Sequence, residues 1–276
     1  MPCLIAYLTP DGLVDADVTA DSLADAARHE PREGVYTITN TYHTTQVVKL
    51  DAHLDRLEQS ARLAHIPLAL DRPRLRAALR QLIERAAWGD VRFRISVPAA
   101  TPQKLILSIE PFKPLDPALL ERGARAITAS NAARHDPLVK SSDWLHERQR
   151  LQDAMPPGIY DTFLCDADDH ILEGLASNFY AILDGELRTA GSGVLEGISR
   201  QIVLEVAPAL LPVRLEAIRR ADLPRCEEAF LSSSSRGPVP LVEIDGQAIG
   251  TGQVGAMTRR LRAAYLDWVA AHLEEL

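Results

Sequence analysis

At 276 residues the chain is long enough to bury one large core or two moderate ones, and its 46% hydrophobic and 25% charged residues are typical of a globular protein, not of a disordered or fibrous one. A formal charge of -8 argues against nucleic acid or an anionic membrane as partner, because both need a concentrated basic surface; the N-terminus lacks a basic leader, and no stretch approaches the roughly 18 apolar residues that span a bilayer. Three cysteines, Cys3, Cys165 and Cys226, stand far apart without CxxC spacing, which points away from a zinc site or disulfide framework and toward a reducing, cytoplasmic setting.

The first third reads as strand-rich. VYTIT (35–39) and TTQVVKL (44–50) flank a polar turn and predict a β-hairpin. DAHLDRLEQSARLA predicts a helix capped by Asp51, with Leu54, Leu57 and Ala61 on one face. RPRLRAALRQLIERAA predicts a second, with Pro73 near its start and Leu75, Leu79, Leu82 and Ile83 on its apolar side. VRFRISV (91–97) and KLILSIEPF (104–112) then read as paired strands.

Three prolines, Pro111, Pro114 and Pro117, favour extended or turn backbone in EPFKPLDPALL and place a boundary there. The expected organisation is a smaller domain over 1–113, a linker over 114–118 and a larger domain over 119–276. In the latter, strands such as RAITAS, YDTFLCD and SNFYAIL alternate with helical stretches around WLHERQRLQDA, SRQIVLEVAPALL and MTRRLRAAYLDWVAAHLEEL. That is a mixed α+β chain.

Lysine chemistry has few places to occur, since only Lys49, Lys104, Lys113 and Lys140 are present. Lys140 lies between an apolar stretch and an expected helix start, where an ammonium can sit in a cleft with a depressed pKa; the bland alternative is a solvated surface lysine. In ILEGLASNFYAIL, Glu173 and Asn178 flank a turn that enters a strand, and a carboxylate there suits a protonated heterocyclic nitrogen or simply faces water. In GSGVLEGISRQIVLEVA, glycines precede an apolar helix beginning near Ile198 or Ser199, an arrangement whose N–H groups favour phosphate but which is also common without it. The serine run FLSSSSRG adds hydroxyls or is a plain loop. Arg92 and Arg94 alternate onto one strand face, as a carboxylate clamp or as a solvent-facing pair on an edge strand. Histidines show no metal-binding spacing, and no GxSxG elbow occurs.

Taken in order, EGVYTI (33–38), HLDRL (53–57), VKSSDWL (139–145), EGLASNFYAI (173–182), LEGISRQIV (195–203) and SSSSRGPVPLVEIDG give the chain a resemblance to the fold-type IV (class IV) pyridoxal phosphate enzymes over roughly residues 30–260. This family includes branched-chain and D-amino-acid aminotransferases and aminodeoxychorismate lyase. The resemblance implies a two-domain fold, a smaller N-terminal α/β domain and a larger C-terminal domain with a β-barrel-like core. It implies Lys140 as the Schiff-base residue and Glu173 as partner of the pyridine nitrogen. Phosphate would be held by Arg56, by the backbone N–H groups of Ile198 and Ser199, by the Ser199 hydroxyl and by Ser234. Asn178 lies in the cofactor motif, and Tyr36 matches an active-site tyrosine of the D-amino-acid branch.

The activity so implied is transfer of an amino group from an amino acid or primary amine to an α-keto acid, by a homodimer with pyridoxal 5'-phosphate and no metal. A lyase of the aminodeoxychorismate type is the alternative, and a non-catalytic cofactor-binding protein a third reading. Asp143 replaces a frequent asparagine, and the Thr-Arg-Gly loop and the Arg-x-His pair of some branches are missing after VRFRISV. The substrate and its handedness stay open.

Overall fold

The computed structural model describes residues 3–276. The chain divides into two compact units, one of Met1–Lys113, Val139–Gln149 and His272–Leu276, the other of Pro114–Leu138 and Arg150–Ala271. Two segments that lie beyond a single cut near 113–119, one of them carrying Lys140, therefore pack with the first unit.

The first unit is built on β1 (Leu4–Thr9), β2 (Gly12–Asp15), α1 (Leu23–Ala27), β3 (Gly34–Asn40), β4 (Gln46–Val48), α2 (Leu50–Leu63), α3 (Arg72–Ala86), β5 (Val91–Pro98) and β6 (Leu105–Pro111). Five strands form an antiparallel sheet in the order β2-β1-β6-β5-β3. Alternation sets its two faces. Val91, Phe93, Ile95, Val97, Leu105, Leu107 and Ile109 bury against Leu54, Leu57 and Ala61 of α2 and Leu75, Leu79, Leu82 and Ile83 of α3. Ile5 and Ile106, on the other face, pack on Leu23 and Ala26 of α1.

The predicted strands β5 and β6 pair as expected, but the 35–50 hairpin does not form. β3 pairs with β5, and β4 pairs antiparallel with β16 (Leu273–Glu275) at the other end of the chain. His43 and Thr44 take left-handed backbone, φ 50 and 75, so the turn reverses within Tyr42–Gln46 and joins those two residues in an isolated bridge. Only three strand residues then remain before α2 begins, too few for a ladder along β3. Asp51 is not the cap of α2 either. The N-cap is Lys49, left-handed and without a side-chain cap bond, and the Leu50 N–H donates to Glu274 of β16 at 2.9 Å. Asp51 instead faces Arg72 and Arg76 at 3.4 and 3.2 Å. By contrast α3 starts as local rules dictate, with Asp71 accepting from the Arg74 N–H and Pro73 in the first turn.

The second unit contains α4 (Pro117–Arg122), β7 (Ala124–Ala129), the end of α5 (Ser142–Asp153), β8 (Asp161–Cys165), β9 (Ile171–Gly174), β10 (Asn178–Leu183), β11 (Glu186–Arg188), α6 (Ile198–Val206), β12 (Val213–Arg214), β13 (Glu228–Ser233), β14 (Gly237–Ile244), β15 (Gln247–Ala248) and α7 (Ala256–Ala271). The proline-rich stretch is thus not wholly extended: Asp116 accepts from the Ala118 N–H and starts α4 with Pro117 in its first turn. The last residues are likewise not helical, since α7 stops at Ala271 before β16.

Six strands close a ring, β10-β13-β14-β7-β8-β9, which returns to β10 through the pairing of Glu173 with Asn178. Phe163, Phe179, Leu231, Val239 and Leu241 fill its interior; Phe163 and Phe179 meet at 4.7 Å between centroids, tilted by 59°. The chain is a mixed α/β protein with a closed barrel in its second unit. Among the described residues no helix is long and apolar enough to cross a membrane.

Candidate active site

In the first unit the chemistry collects along the edge strand β3 and one face of α2. His53, Arg56 and Ser60 recur at helical spacing and all are buried. The segment carrying Lys140 runs beside β3: the Tyr36 N–H donates to the Lys140 carbonyl at 3.0 Å, Val35 and Ser141 form a bridge, and the Lys140 N–H donates to Ser60 Oγ at 3.2 Å. Its backbone is therefore fixed on both sides. Lys140 Nζ lies 4.6 Å from the centroid of the Tyr36 ring, with the Arg148 guanidinium 5.8 Å from the same ring. Tyr36 itself is 1% exposed and packs with Ala27 and Leu145, so its ring forms the wall behind the lysine.

Thr37, the next residue of β3, joins the helix from the opposite strand face. Its hydroxyl is 2.9 Å from His53 Nδ1 and accepts from Arg56 Nη2 at 3.3 Å. Burial, with the Arg56 and Lys140 charges nearby, holds the His53 imidazole well below its ordinary pKa of 6.5, hence neutral. Burial also pushes the Arg56 guanidinium down to about 10. An anion beside Arg56 would offset that desolvation.

In the second unit the barrel closure and the entry to α6 meet at one residue, Leu195. The Leu195 N–H donates to Glu173 Oε2 at 3.0 Å, while its carbonyl accepts from the Asn178 amide at 2.9 Å. Glu173 Oε1 faces Arg134 Nη1 at 3.3 Å, both side chains 6% exposed. The intervening turn is held by Asp161, which accepts from the Leu175 N–H at 3.1 Å and the Ser177 hydroxyl at 2.7 Å. A Cβ on Gly174 would lie 2.3 Å from Ser177 Oγ and 2.7 Å from Asp161 Oδ2, so a side chain there would displace this pair.

Gly197 begins α6 with extended backbone and supplies no side-chain cap, which leaves the helix start to a partner from outside the segment. A Cβ there would lie 2.2 Å from Asn178 Oδ1. Ile198 and Ser199 follow directly, and the Ser199 hydroxyl donates to the Tyr265 hydroxyl of α7 at 3.1 Å. In the serine run, Ser232 bonds the Tyr180 hydroxyl at 3.0 Å and Ser233 accepts from Arg236, while Ser234 lies half-buried in the turn between β13 and β14.

The arginines of β5 are differently employed. Arg94 is fully buried in an ion pair with Glu30 and donates to the Leu23 carbonyl at 2.8 Å; Arg92 faces Glu110 at 3.4 Å. Arg94 is thus engaged in an interior ion pair, and β5 is not an edge strand. The guanidinium of Arg94 would otherwise be an uncompensated charge in the sheet, and Glu30 is its neutralising partner. Sequence reasoning also missed Thr37, His53, Ser60, Arg134, Asp161 and the Leu195 backbone. His53 and Ser60 were readable as the i and i+7 partners of Arg56 at i+3. Arg134 and Asp161 reach their partners through folding of the barrel and carry no local signal.

The family model for amino-transferase class IV matches residues 34–244. A putative branched-chain-amino-acid aminotransferase of Methanocaldococcus jannaschii is 28% identical over 85% of this chain and 86% of its own length. The D-alanine aminotransferase of Bacillus licheniformis is 26% identical over 84% of this chain and 86% of its own length. In fold, the crystal structure of a T.th. branched-chain amino acid aminotransferase with pyridoxamine 5'-phosphate superposes with a TM-score of 0.83 at 21% identity, covering 100% of this chain and 99% of that one. With lysine, glutamate and the uncapped glycine-led helix in their expected order, and a family match that spans most of its length, the chain belongs to the class IV amino-transferase family.

Proposed function

We propose that this pyridoxal phosphate-dependent aminotransferase holds its cofactor through Lys140 and Glu173 and exchanges an amino group between an amino acid and an α-keto acid. The residues present fit the group. Arg56 is a buried cation suited to a phosphate dianion, and the start of α6 offers backbone donors with no side-chain cap. Ser199 and Ser234 add hydroxyls. Glu173 is a fixed carboxylate suited to a protonated ring nitrogen, with the Leu195 amide and Arg134 setting its orientation.

Bound there, pyridoxal phosphate supplies an aldehyde that condenses with amines and a ring that withdraws electrons from the substrate's α-carbon. The protein supplies the rest. Lys140 Nζ is the amine that would hold the aldehyde and, when free, would serve as the base that moves the substrate's α-proton toward the cofactor. Glu173 keeps the ring nitrogen protonated, the charge state in which withdrawal is strongest. Tyr36 closes the space behind the lysine, and Asn178 holds the Leu195 carbonyl and thereby the entry to α6.

The observation that carries the reading is the two-sided anchoring of the Lys140 backbone, by Tyr36 on β3 and Ser60 on α2. It gives the amine a defined point of departure beside Arg56's helix. Branched-chain amino acids and D-alanine, for which the relatives are named, are the first donors to test. We place the enzyme in the cytoplasm as a homodimer, as its family resemblance suggests; its three cysteines are unpaired. Borohydride reduction of the loaded enzyme followed by peptide mapping should place the adduct on Lys140, and Lys140→Ala should abolish it with most turnover. An adduct on Lys49, Lys104 or Lys113 would overturn the assignment. Loss and return of the cofactor absorbance with amino donors and keto acids separates amino transfer from elimination.

A further inference from the structure

Arg56, read above as a phosphate ligand, does not lie loose in its site. It emerges from the buried face of α2 one turn after His53, and Thr37 of β3 touches both. A hydroxyl has one hydrogen to give and lone pairs to receive. Arg56 Nη2 donates to Thr37 Oγ1 at 3.3 Å, and the same hydroxyl lies 2.9 Å from His53 Nδ1, which accepts its hydrogen or donates to its second lone pair according to the tautomer. His53 is wholly buried next to two cations, which keeps its imidazole neutral in either tautomer. Thr37 thus links His53 to Arg56, and the buried imidazole fixes where the hydroxyl oxygen that receives Arg56 Nη2 sits.

The consequence concerns orientation of the guanidinium. An arginine side chain has many rotamers, and a fork that must meet a phosphate loses that freedom on binding unless it is ordered beforehand. From this geometry we infer that Thr37 and His53 are positioning residues for Arg56: they order its Nη2 before the cofactor arrives and so raise affinity for the phosphate end of the cofactor alone. They touch neither the aldehyde nor the ring in this scheme. The inference rests on Arg56 as phosphate ligand, and the test separates the two.

The full-length enzyme, resolved of cofactor by dialysis against an amino donor, is titrated with pyridoxal 5'-phosphate and with pyridoxal, which lacks the phosphate. Both condense with the same lysine, so the ratio of their dissociation constants isolates the phosphate contribution. Thr37→Val should weaken pyridoxal phosphate about ten-fold, on the scale of one lost positioning hydrogen bond, and leave pyridoxal within about two-fold. Thr37→Ser, which restores the hydroxyl, should return the ratio to near that of the parent. His53→Phe, which keeps the ring bulk without Nδ1, should produce the same phosphate-selective loss and serves if Thr37→Val folds poorly. Equal weakening of both ligands by these variants, or no change in either, overturns the inference. Arg56→Gln reports on the underlying reading: if it leaves the ratio unchanged, Arg56 is not the phosphate ligand, whereas a collapsed ratio with an unaffected Thr37→Val retires the positioning chain only.

Discussion

Glu173→Gln separates two duties of one carboxylate. Its Oε1 faces the buried Arg134 at 3.3 Å and its Oε2 accepts from Leu195 at 3.0 Å. Removing one member of a buried ion pair costs about 3–5 kcal/mol, because the other charge stays in a poor solvent. Arg134 keeps bonds to the carbonyls of Pro137 and Asp136 at 3.2 and 3.3 Å, and a glutamine carbonyl still accepts from Leu195. The lower end, about 3 kcal/mol, is therefore expected, which for a chain of this size lowers Tm by about 6–12 °C. The catalytic loss is separate. Weaker ring protonation should cost about 2–4 kcal/mol of transition-state stabilisation, a fall in turnover of about 30- to 1000-fold. Adding Arg134→Met removes the stranded cation, so the double variant should regain most of the Tm. Thermal unfolding of the loaded enzyme and steady-state transamination read the two quantities side by side. If turnover returned together with stability, Glu173 would be a structural ion-pair partner and its proposed role at the ring nitrogen would be refuted.

Other expectations follow from the same geometry. Gly197 has φ -64, a value alanine adopts without strain, so Gly197→Ala tests only the 2.2 Å approach to Asn178. Displacement of that amide should weaken cofactor binding about ten-fold, at a cost on the order of 1–2 kcal/mol, and unchanged affinity by titration would show that the α6 entry tolerates the shift. Burial pushes the thiols of Cys3 and Cys226 up to about 12 and that of Cys165 to about 11. Iodoacetamide at pH 8 should then leave all three unmodified in the native protein and label them in urea; rapid native labelling contradicts that burial. His53 is neutral when folded but takes a proton near pH 6.5 when unfolded. Its stabilising contribution should be complete above about pH 6.5 and decline as pH falls below it, so unfolding free energy measured from pH 7.5 to 5 should fall less steeply in His53→Phe than in the parent. Parallel profiles would mean that His53 titrates alike in both states.

What the sequence made legible was local. The apolar stripe of α2, Pro73 at the start of α3, and the alternation of β5 and β6 are decided by near neighbours, and each appears where its residues place it. The same holds for the order of HLDRL, Lys140, EGLASN and GISR. The features that escaped depend on distant chain. Val47 and Val48 are buried and β-branched whether they pair with β3 or with β16, so their pattern cannot choose a partner, and the short turn after Tyr42 decides it. Asp51 has the residue type of a cap, but Glu274, more than 220 positions away in sequence, supplies the acceptor. Arg94 looks like Arg92 in sequence. Only the placement of Glu30 makes it an interior ion pair.

The ring of six strands has one thin seam, a single residue pairing between Glu173 and Asn178, with the Gly174 N–H bonded to the Ser177 carbonyl at 2.8 Å. Elsewhere neighbouring strands share longer ladders, such as the five paired positions of β10 with β13. The joint at which this cylinder is most easily parted is thus also where the proposed ring-nitrogen carboxylate resides. Any molecule gripped by Glu173 acts as a rivet there, and by mass action its binding energy is returned as resistance to local opening. On the proposed assignment, cofactor held by Glu173 would add its binding energy to a ring that already closes, so its removal would lower the cost of opening along β9 and β10.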